Sequence, residues 1–410
     1  MFNKKMILSQ SEIYDSFYLY DENAIAESAE RLKRDFKGVD FLYSIKTNSY
    51  PAIVKCILSQ GLGADAASAA EVMLGVQNGV SKDRIQFSAP GKTKKDIDST
   101  IDVSTIIADS FGELHLIRQL ARERGITAKI GIRVNPSFSF FGGAGTPSKF
   151  GIDEELLFEF IPKLKEMPEI EVAGLHVHLR SQELSAAVLE KYYENLFILA
   201  GKFQAAYERP LSFLNMGSGI GIPYAPEDTP LDTASLGTAA AKLIRRFSSQ
   251  FPLMKVYIET GRYVVGKSGV YVTKVLDKKV SHGKTFVILK NTLNGFIRPS
   301  LAQLITSYAG DQPLFASEPL FTGPNAFEFA VLSSETKTET VTLAGNLCTA
   351  TDVVAKDVEL PKMQPGDIVV MTNAGSYAAV LSPMQFSSQE APAQLMLTRD
   401  GEVVHADIAR

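Results

Sequence analysis

The chemistry-bearing residues of this chain fall at the ends of short apolar runs. Tyr43-Ser44-Ile45-Lys46-Thr47-Asn48 closes one run with a lysine. At the mouth of a packed core, desolvation lowers a lysine pKa and favours imine formation with an aldehyde. A lysine that merely snorkels to solvent is the alternative for this residue taken alone. Ala64-Asp65-Ala66-Ala67-Ser68 closes a second run, and either Asp65 or Ser68 has the option of capping the next helix. In Gly174-Leu175-His176-Val177-His178, alternation puts both histidines on one strand face. Two same-face histidines can hold a metal, but no carboxylate stands beside them and neither cysteine is near. An imidazole packed on a flat cofactor ring fits equally well. Gly217-Ser218-Gly219-Ile220-Gly221 alternates glycines that expose backbone N–H groups to a phosphate. A purely structural turn is its alternative, and it lacks the Gly-Lys-Ser/Thr of a Walker loop. Ile258-Glu259-Thr260-Gly261-Arg262 brings in a carboxylate able to pair with a protonated pyridine nitrogen.

The elements that must position these residues are legible as pattern. Leu42–Lys46, Gly61–Asp65, Ile85–Ala89, Ile106–Asp109, Lys129–Val134, Val172–His178, Phe213–Met216 and Val256–Glu259 read as strands. Segments such as Ala24–Asp35, Ala52–Gln60, Ala69–Asn78 and Phe111–Arg124 lie between them and carry apolar residues at helical spacing. Eight strands alternating with helices predict a parallel (β/α)8 barrel of the TIM type, whose chemistry belongs at the C-terminal strand ends. After Gly261 the pattern changes. Tyr271–Leu276, Thr285–Lys290, Glu339–Ala344, Asp367–Met371 and Gln394–Thr398 read as strands with few helices between, which predicts a second, mostly β domain of barrel or sandwich type. Ser16–Tyr20 has the character of a strand added to it. The expected division is residues 22–262 for the barrel, and 1–21 with 263–410 for the β domain.

The composition fits this picture. The chain has 410 residues, 45% hydrophobic and 21% charged, with 42 Lys and Arg against 46 Asp and Glu. That excludes a disordered or collagen-like chain, and a net charge of −4 without basic runs argues against nucleic acid as partner. No apolar run approaches the roughly 18 residues needed to cross a bilayer, and the N-terminus shows no leader pattern. Two cysteines, Cys56 and Cys348, make no disulfide framework and suit a reducing cytoplasm. Taken together, an imine-forming lysine, a ring-stacking histidine, a phosphate cradle and a pyridinium partner are the protein parts a pyridoxal 5'-phosphate enzyme needs. No metal is expected.

These motifs resemble the fold-type III, alanine-racemase-fold pyridoxal phosphate decarboxylases, which include diaminopimelate, ornithine and arginine decarboxylases. The resemblance runs from Phe17 to about Phe386. It makes Lys46 the cofactor lysine, with Asp65 in the same site, and His178 the residue that stacks on the ring. It puts Ser181 near the phosphate, with Gly217, Ser218, Gly219 and Gly221 as the phosphate loop. It makes Glu259, with Gly261 and Arg262, the counterpart of a Glu-Pro-Gly-Arg motif. Ser148-Lys149-Phe150-Gly151 is similar to a further family segment. In the second domain Asn373-Ala374-Gly375-Ser376-Tyr377 resembles a motif that brings Tyr377 to the cofactor. Asn294-Gly295-Phe296-Ile297-Arg298-Pro299 resembles a substrate-carboxylate motif carrying Arg298. Gly345–Asp352 resembles a loop that reaches the partner's site in a homodimer with shared active sites. Cys348 is then the proton donor to the carbanion carbon, whereas Cys56, inside a helix, reads as a buried structural thiol.

The departures from the family pattern bear on substrate. Where diaminopimelate decarboxylases have Cys-Glu-Ser-Gly-Asp, this chain has Cys348-Thr349-Ala350-Thr351-Asp352. The glutamate that receives the distal ammonium is replaced by Thr349, which leaves that ammonium poorly compensated. Ala302 replaces a tyrosine after the Arg-Pro pair, and Arg180 replaces a glycine after the histidines. The resemblance therefore implies a decarboxylase of specialised pathways, acting on an amino acid joined to something larger. Citryl-amino acids of siderophore assembly are the expected class, with a carrier-protein-bound glutamate or a diaminopimelate-, lysine- or ornithine-type substrate as alternatives. Arg180, Arg298, Thr349 and Asp352 are the expected substrate contacts, the arginines by bidentate pairing with carboxylates. A racemase on the same architecture needs a second base, and the cysteine loop argues against it.

Overall fold

The computed structural model describes residues 2–309, 323–333 and 335–405. The eight expected apolar runs form eight parallel strands: Val39–Ser44, Gly63–Ala66, Ile85–Phe87, Thr105–Ala108, Ala128–Asn135, Ile170–His176, Phe213–Asn215 and Lys255–Thr260. Each pairs with the next in chain order, and the eighth returns to the first with Glu259 opposite Leu42, which closes the barrel. Helices between them are started by local signals. Ser68, Ser110 and Asp232 each accept a backbone N–H of the first helical turn that would otherwise go unpaired. Ser68 is thus the cap of its helix, which leaves Asp65 free for another task.

Alternation along the strands gives the barrel interior two levels. Leu42, Ile107, Phe213 and Tyr257 form a buried apolar floor. Gly174 is required there, because a Cβ would lie 2.5 Å from the Phe213 ring. Two residues further along the strands, toward the C-terminal ends, stand Ser44, Asp109, Asn215 and Glu259, all buried. Period-two geometry thus converts one apolar layer into one polar layer at the mouth.

Ser16–Asp21, before the barrel in the chain, joins the second sheet as expected for Ser16–Tyr20, pairing antiparallel with Gly269–Ser281 and parallel with Ala393–Leu397. These strands belong to a nine-stranded sheet that also contains Lys284–Leu289, Thr338–Gly345, Val353–Pro361 and Ile368–Met371. The sequence reading missed Phe329–Leu332, Val353–Pro361 and Val403–His405, together with the helix Ile297–Ala309. Among the described residues, no helix is long and apolar enough to cross a membrane.

Candidate active site

Lys46 lies beyond the end of the first strand, in the tight turn Ile45–Thr47, rather than closing the strand itself. Its Nζ is 3.4 Å from Asp65 Oδ2. The expectation of a lowered lysine pKa is reversed. The Asp65 charge raises it above the ordinary lysine value, against the opposing effect of burial. Asp65 itself is 1% exposed, faces the Lys46 amine and is not among the residues that line the cavity described below. Ser44 donates to Asp65 Oδ2 at 2.8 Å and Ser88 to Oδ1 at 2.6 Å, which orients the carboxylate.

Across the barrel, Glu259 is 2% exposed. Burial pushes its carboxyl up, but His176, with Nε2 2.9 Å from Oε1, outweighs this together with Lys46 and His178 and holds the group below the usual carboxylate range. Asn215 donates to Glu259 at 3.0 Å and to Gln86 at 2.7 Å. His178 stands past the strand end, and burial lowers its pKa to about 3, so the imidazole is neutral. Its Nδ1 accepts the Ser218 N–H at 3.0 Å, and Ser181 Oγ lies 3.4 Å from Nε2.

The glycine segment is folded as tightly as its composition suggests. Gly217 has φ +66°, and a Cβ there would meet Val177 O at 2.3 Å. Its role as a phosphate cradle is narrower than expected. The N–H of Gly217 goes to Asn215 Oδ1, that of Ser218 to His178 and that of Gly221 to Glu183 O. Gly219 and Ile220 are left with amides not committed to a protein acceptor among the described residues. Arg262 adds to them. Its Nη1 donates to Tyr224 Oη at 2.9 Å, while the buried Nη2 has no hydrogen-bond partner.

Lys46, His178, Ser181, Ser218, Glu259, Gly261, Arg262 and Tyr377 line one cavity, together with Ser44, Gln182 and Ile220. Tyr377 comes from the second domain with φ +49°, and its N–H is anchored on Thr47 O at 2.9 Å. A left-handed aromatic residue is strained, and that strain is tolerated where the surroundings over-determine it. The residues lining the cavity suit pyridoxal phosphate chemically. It offers an amine at one side, an uncompensated buried guanidinium for a phosphate at another, and an ionised carboxylate opposite.

The expected substrate contacts are not gathered there. Arg298 is fully buried, stacked near Tyr224 and Phe327, and donates to Ser376 O at 3.0 Å, so it braces the Tyr377 segment. Asp352 is corrected as well. It is 2% exposed and accepts from Thr292 Oγ1, Leu293 N and Leu347 N, holding the 345–352 loop together instead of facing a substrate. Thr349 pairs with Thr351, and Cys348 is exposed, both outside this chain's own cavity. Arg180 flanks the cavity and stacks on Phe141 at 4.6 Å. Cys56 is buried, with its thiol pushed up to about 12 by burial. Among the described residues no group of three His, Cys, Asp or Glu is placed for a metal.

Sequence reasoning missed Asn215, Arg133 and Tyr224. Arg133 is 7% exposed, lies two residues before the end of the fifth strand and faces Asp109 at 3.6 Å. The signal available for Arg133 was a charge inside the otherwise apolar run 130–134. Asn215 had only its place before the glycines, and Tyr224 had no local signal.

Comparison with known proteins agrees with this geometry. The model of the pyridoxal-dependent decarboxylase pyridoxal binding domain matches residues 22–266. The chain is 30% identical to the L-glutamyl-(BtrI acyl-carrier protein) decarboxylase of Niallia circulans, over 94% of this chain and 89% of that protein. It is 29% identical to the diaminopimelate decarboxylase of Methanothermobacter thermautotrophicus, over 94% and 87%. The crystal structure of Helicobacter pylori diaminopimelate decarboxylase complexed with L-lysine superposes with a TM-score of 0.81 at 26% identity, covering 95% of this chain and 93% of that one. The chain belongs to the pyridoxal-dependent decarboxylases, and it is a pyridoxal phosphate carboxy-lyase built on the barrel and β-sheet domains of that family.

Proposed function

We propose that the enzyme removes the α-carboxylate of an amino acid joined to a larger, acid-bearing group, of the citryl-amino acid kind used in siderophore assembly. It acts as a cytoplasmic homodimer in which the 345–352 loop serves the partner's site. The observation that carries this reading is the loop itself. Thr349 stands where an ammonium acceptor would be, and the one acid of the loop, Asp352, is consumed by three internal hydrogen bonds. A free diamino acid would bury its distal ammonium without a partner. A carrier-bound glutamate is the second reading, favoured by the carrier-protein substrate in the name of the Niallia circulans relative.

Bound pyridoxal phosphate supplies the electron sink that accepts the pair left by departing CO2. Lys46 Nζ would be the amine that holds the cofactor, oriented by Asp65. Arg262 Nη2 and the amides of Gly219 and Ile220 fit its phosphate. His178, neutral through burial, packs on the ring without adding charge. Glu259 keeps a proton at the pyridine nitrogen, oriented by His176 and Asn215. Cys348 Sγ, exposed on its loop, returns a proton to the α-carbon in the partner's pocket.

Mass spectrometry of products from citryl-amino acids, carrier-loaded glutamate, diaminopimelate, lysine and ornithine tests this reading. A product lighter by CO2 from the conjugates is expected. Efficient turnover of the free diamino acids alone would overturn it, and inversion at the α-carbon without CO2 release would indicate a racemase.

A further inference from the structure

Two arginines near the barrel mouth are capped by phenylalanines of one loop. Arg133 lies 4.3 Å from the Phe150 ring and Arg180 lies 4.6 Å from the Phe141 ring. Their electrostatics differ. Arg133 faces the Asp109 carboxylate at 3.6 Å. Arg180 has no ion pair among the described residues, and its buried Nε has no hydrogen-bond partner. The acid nearest in sequence, Glu183, is turned away, its Oε1 accepting from Leu184 N at 3.0 Å and Ser185 N at 2.8 Å.

The stack is held from both sides. Ser181 and His178, which flank Arg180 in the chain, line the cavity. Phe141 sits at the tip of a tight hairpin in which Ser139 donates to Gly143 O at 3.0 Å and Gly145 to Ser137 O at 2.9 Å. Gly142 and Gly143, at φ +92° and +93°, make that turn. Phe141 is 63% exposed although it is a large apolar side chain. A planar guanidinium fixed on an aromatic face keeps its outer edge in one plane, which suits bidentate pairing with a carboxylate.

We propose that Arg180, held flat by Phe141, is the specificity element that recognises a carboxylate on the non-reacting end of the substrate. This rests on the acid-bearing conjugate reading above and names the feature of the conjugate that is read. Arg133 shows the same stack with its carboxylate built in, and at Arg180 the substrate supplies it.

The test uses holoenzyme with tricarballylate as a carboxylate probe, and with a citryl-amino acid and its distal amide as substrates. Wild-type enzyme should bind tricarballylate competitively. Arg180→Gln should raise KM for the citryl-amino acid by about 10- to 100-fold with a much smaller change in kcat, a size typical of losing one buried charge-assisted pair. Tricarballylate binding should fall in parallel, and KM for the amide should shift less than about twofold. Arg180→Lys should restore part of the affinity, and Phe141→Leu should weaken it by several-fold through loss of the flat stack. Equal KM for conjugate and amide in wild type, or an unchanged KM in Arg180→Gln, overturns the proposal while leaving the conjugate reading intact. Failure of every conjugate in the substrate panel overturns that reading instead.

Discussion

The two ends of the active site are built on opposite terms. At the cofactor end the carboxylates and His178 are already paired, Asp65 with Ser44, Ser88 and Lys46, Glu259 with Asn215 beside His176, and His178 with Ser218, while Arg262 Nη2 is left without a partner. Among the residues proposed to meet the substrate, Arg180 has no ion pair among the described residues, Cys348 is exposed and Thr349 bonds only within its own loop. A site that holds the same cofactor in every turnover gains when its charges are already oriented before reaction. A site that must distinguish substrates leaves a charge for the correct one to complete.

The sharpest way to break this contrast is at Lys46. Lys46→Ala should abolish the visible absorbance of the cofactor-loaded protein and lower turnover by about a thousand-fold or more, roughly 4 kcal/mol of barrier. Retained decarboxylation would remove Lys46 from the cofactor end. Asp352→Ala should act on stability instead. Losing an acceptor shared by three donors is expected to cost about 2–4 kcal/mol, read by urea unfolding. A raised KM with unchanged stability would return Asp352 to the substrate end.

Glu259→Gln should lower kcat by about a hundred-fold with less effect on cofactor affinity, because a neutral partner no longer favours a protonated ring nitrogen. Equal loss of kcat and cofactor binding would make Glu259 a holding residue only. The smallest effect lies beneath the cofactor end. Glu71 accepts from Ala67 N at 2.7 Å, and burial, with Asp65 adding to it, pushes its carboxyl up to about 7. Its folded pKa exceeds the unfolded value of about 4.3, so the folded chain holds the proton more tightly. That contribution is full below about pH 4 and is lost as pH rises through about 7. Glu71→Gln keeps an acceptor for Ala67 without the charge. From pH 4.5 to 8 that shift caps the extra loss of wild type over the variant at about 3 kcal/mol, and the partial exposure of Glu71 reduces it to about 1–2 kcal/mol, measured by denaturant unfolding. Parallel pH profiles would refute a half-buried, proton-holding Glu71.

The cofactor end was legible because it is made of strand ends. A residue that closes an apolar run in a predicted barrel has its position set by the fold class alone, which is why Lys46, His178, Glu259 and the 217–221 glycines could be read in order. Chain order says nothing of which oxygen meets which donor. The sequence therefore suggested a lysine with a lowered pKa, and the structure puts Asp65 directly under it. The second domain was less legible for the same reason. Val353–Pro361 hides in a charged, alternating segment, and Arg298 and Asp352 look like exposed ligands until the fold buries them.

The amino-acid pattern by itself determined the barrel, the second sheet with its borrowed strand Ser16–Asp21, and the cofactor chemistry, because periodicity and strand-end residues are local properties. Tertiary structure alone decided which charges are satisfied. It turned Asp65 and Asp352 inward and stacked Arg298 beside Tyr224. It also left Arg180 Nε and Arg262 Nη2 buried without hydrogen-bond partners, because compensation depends on groups brought together from distant parts of the chain.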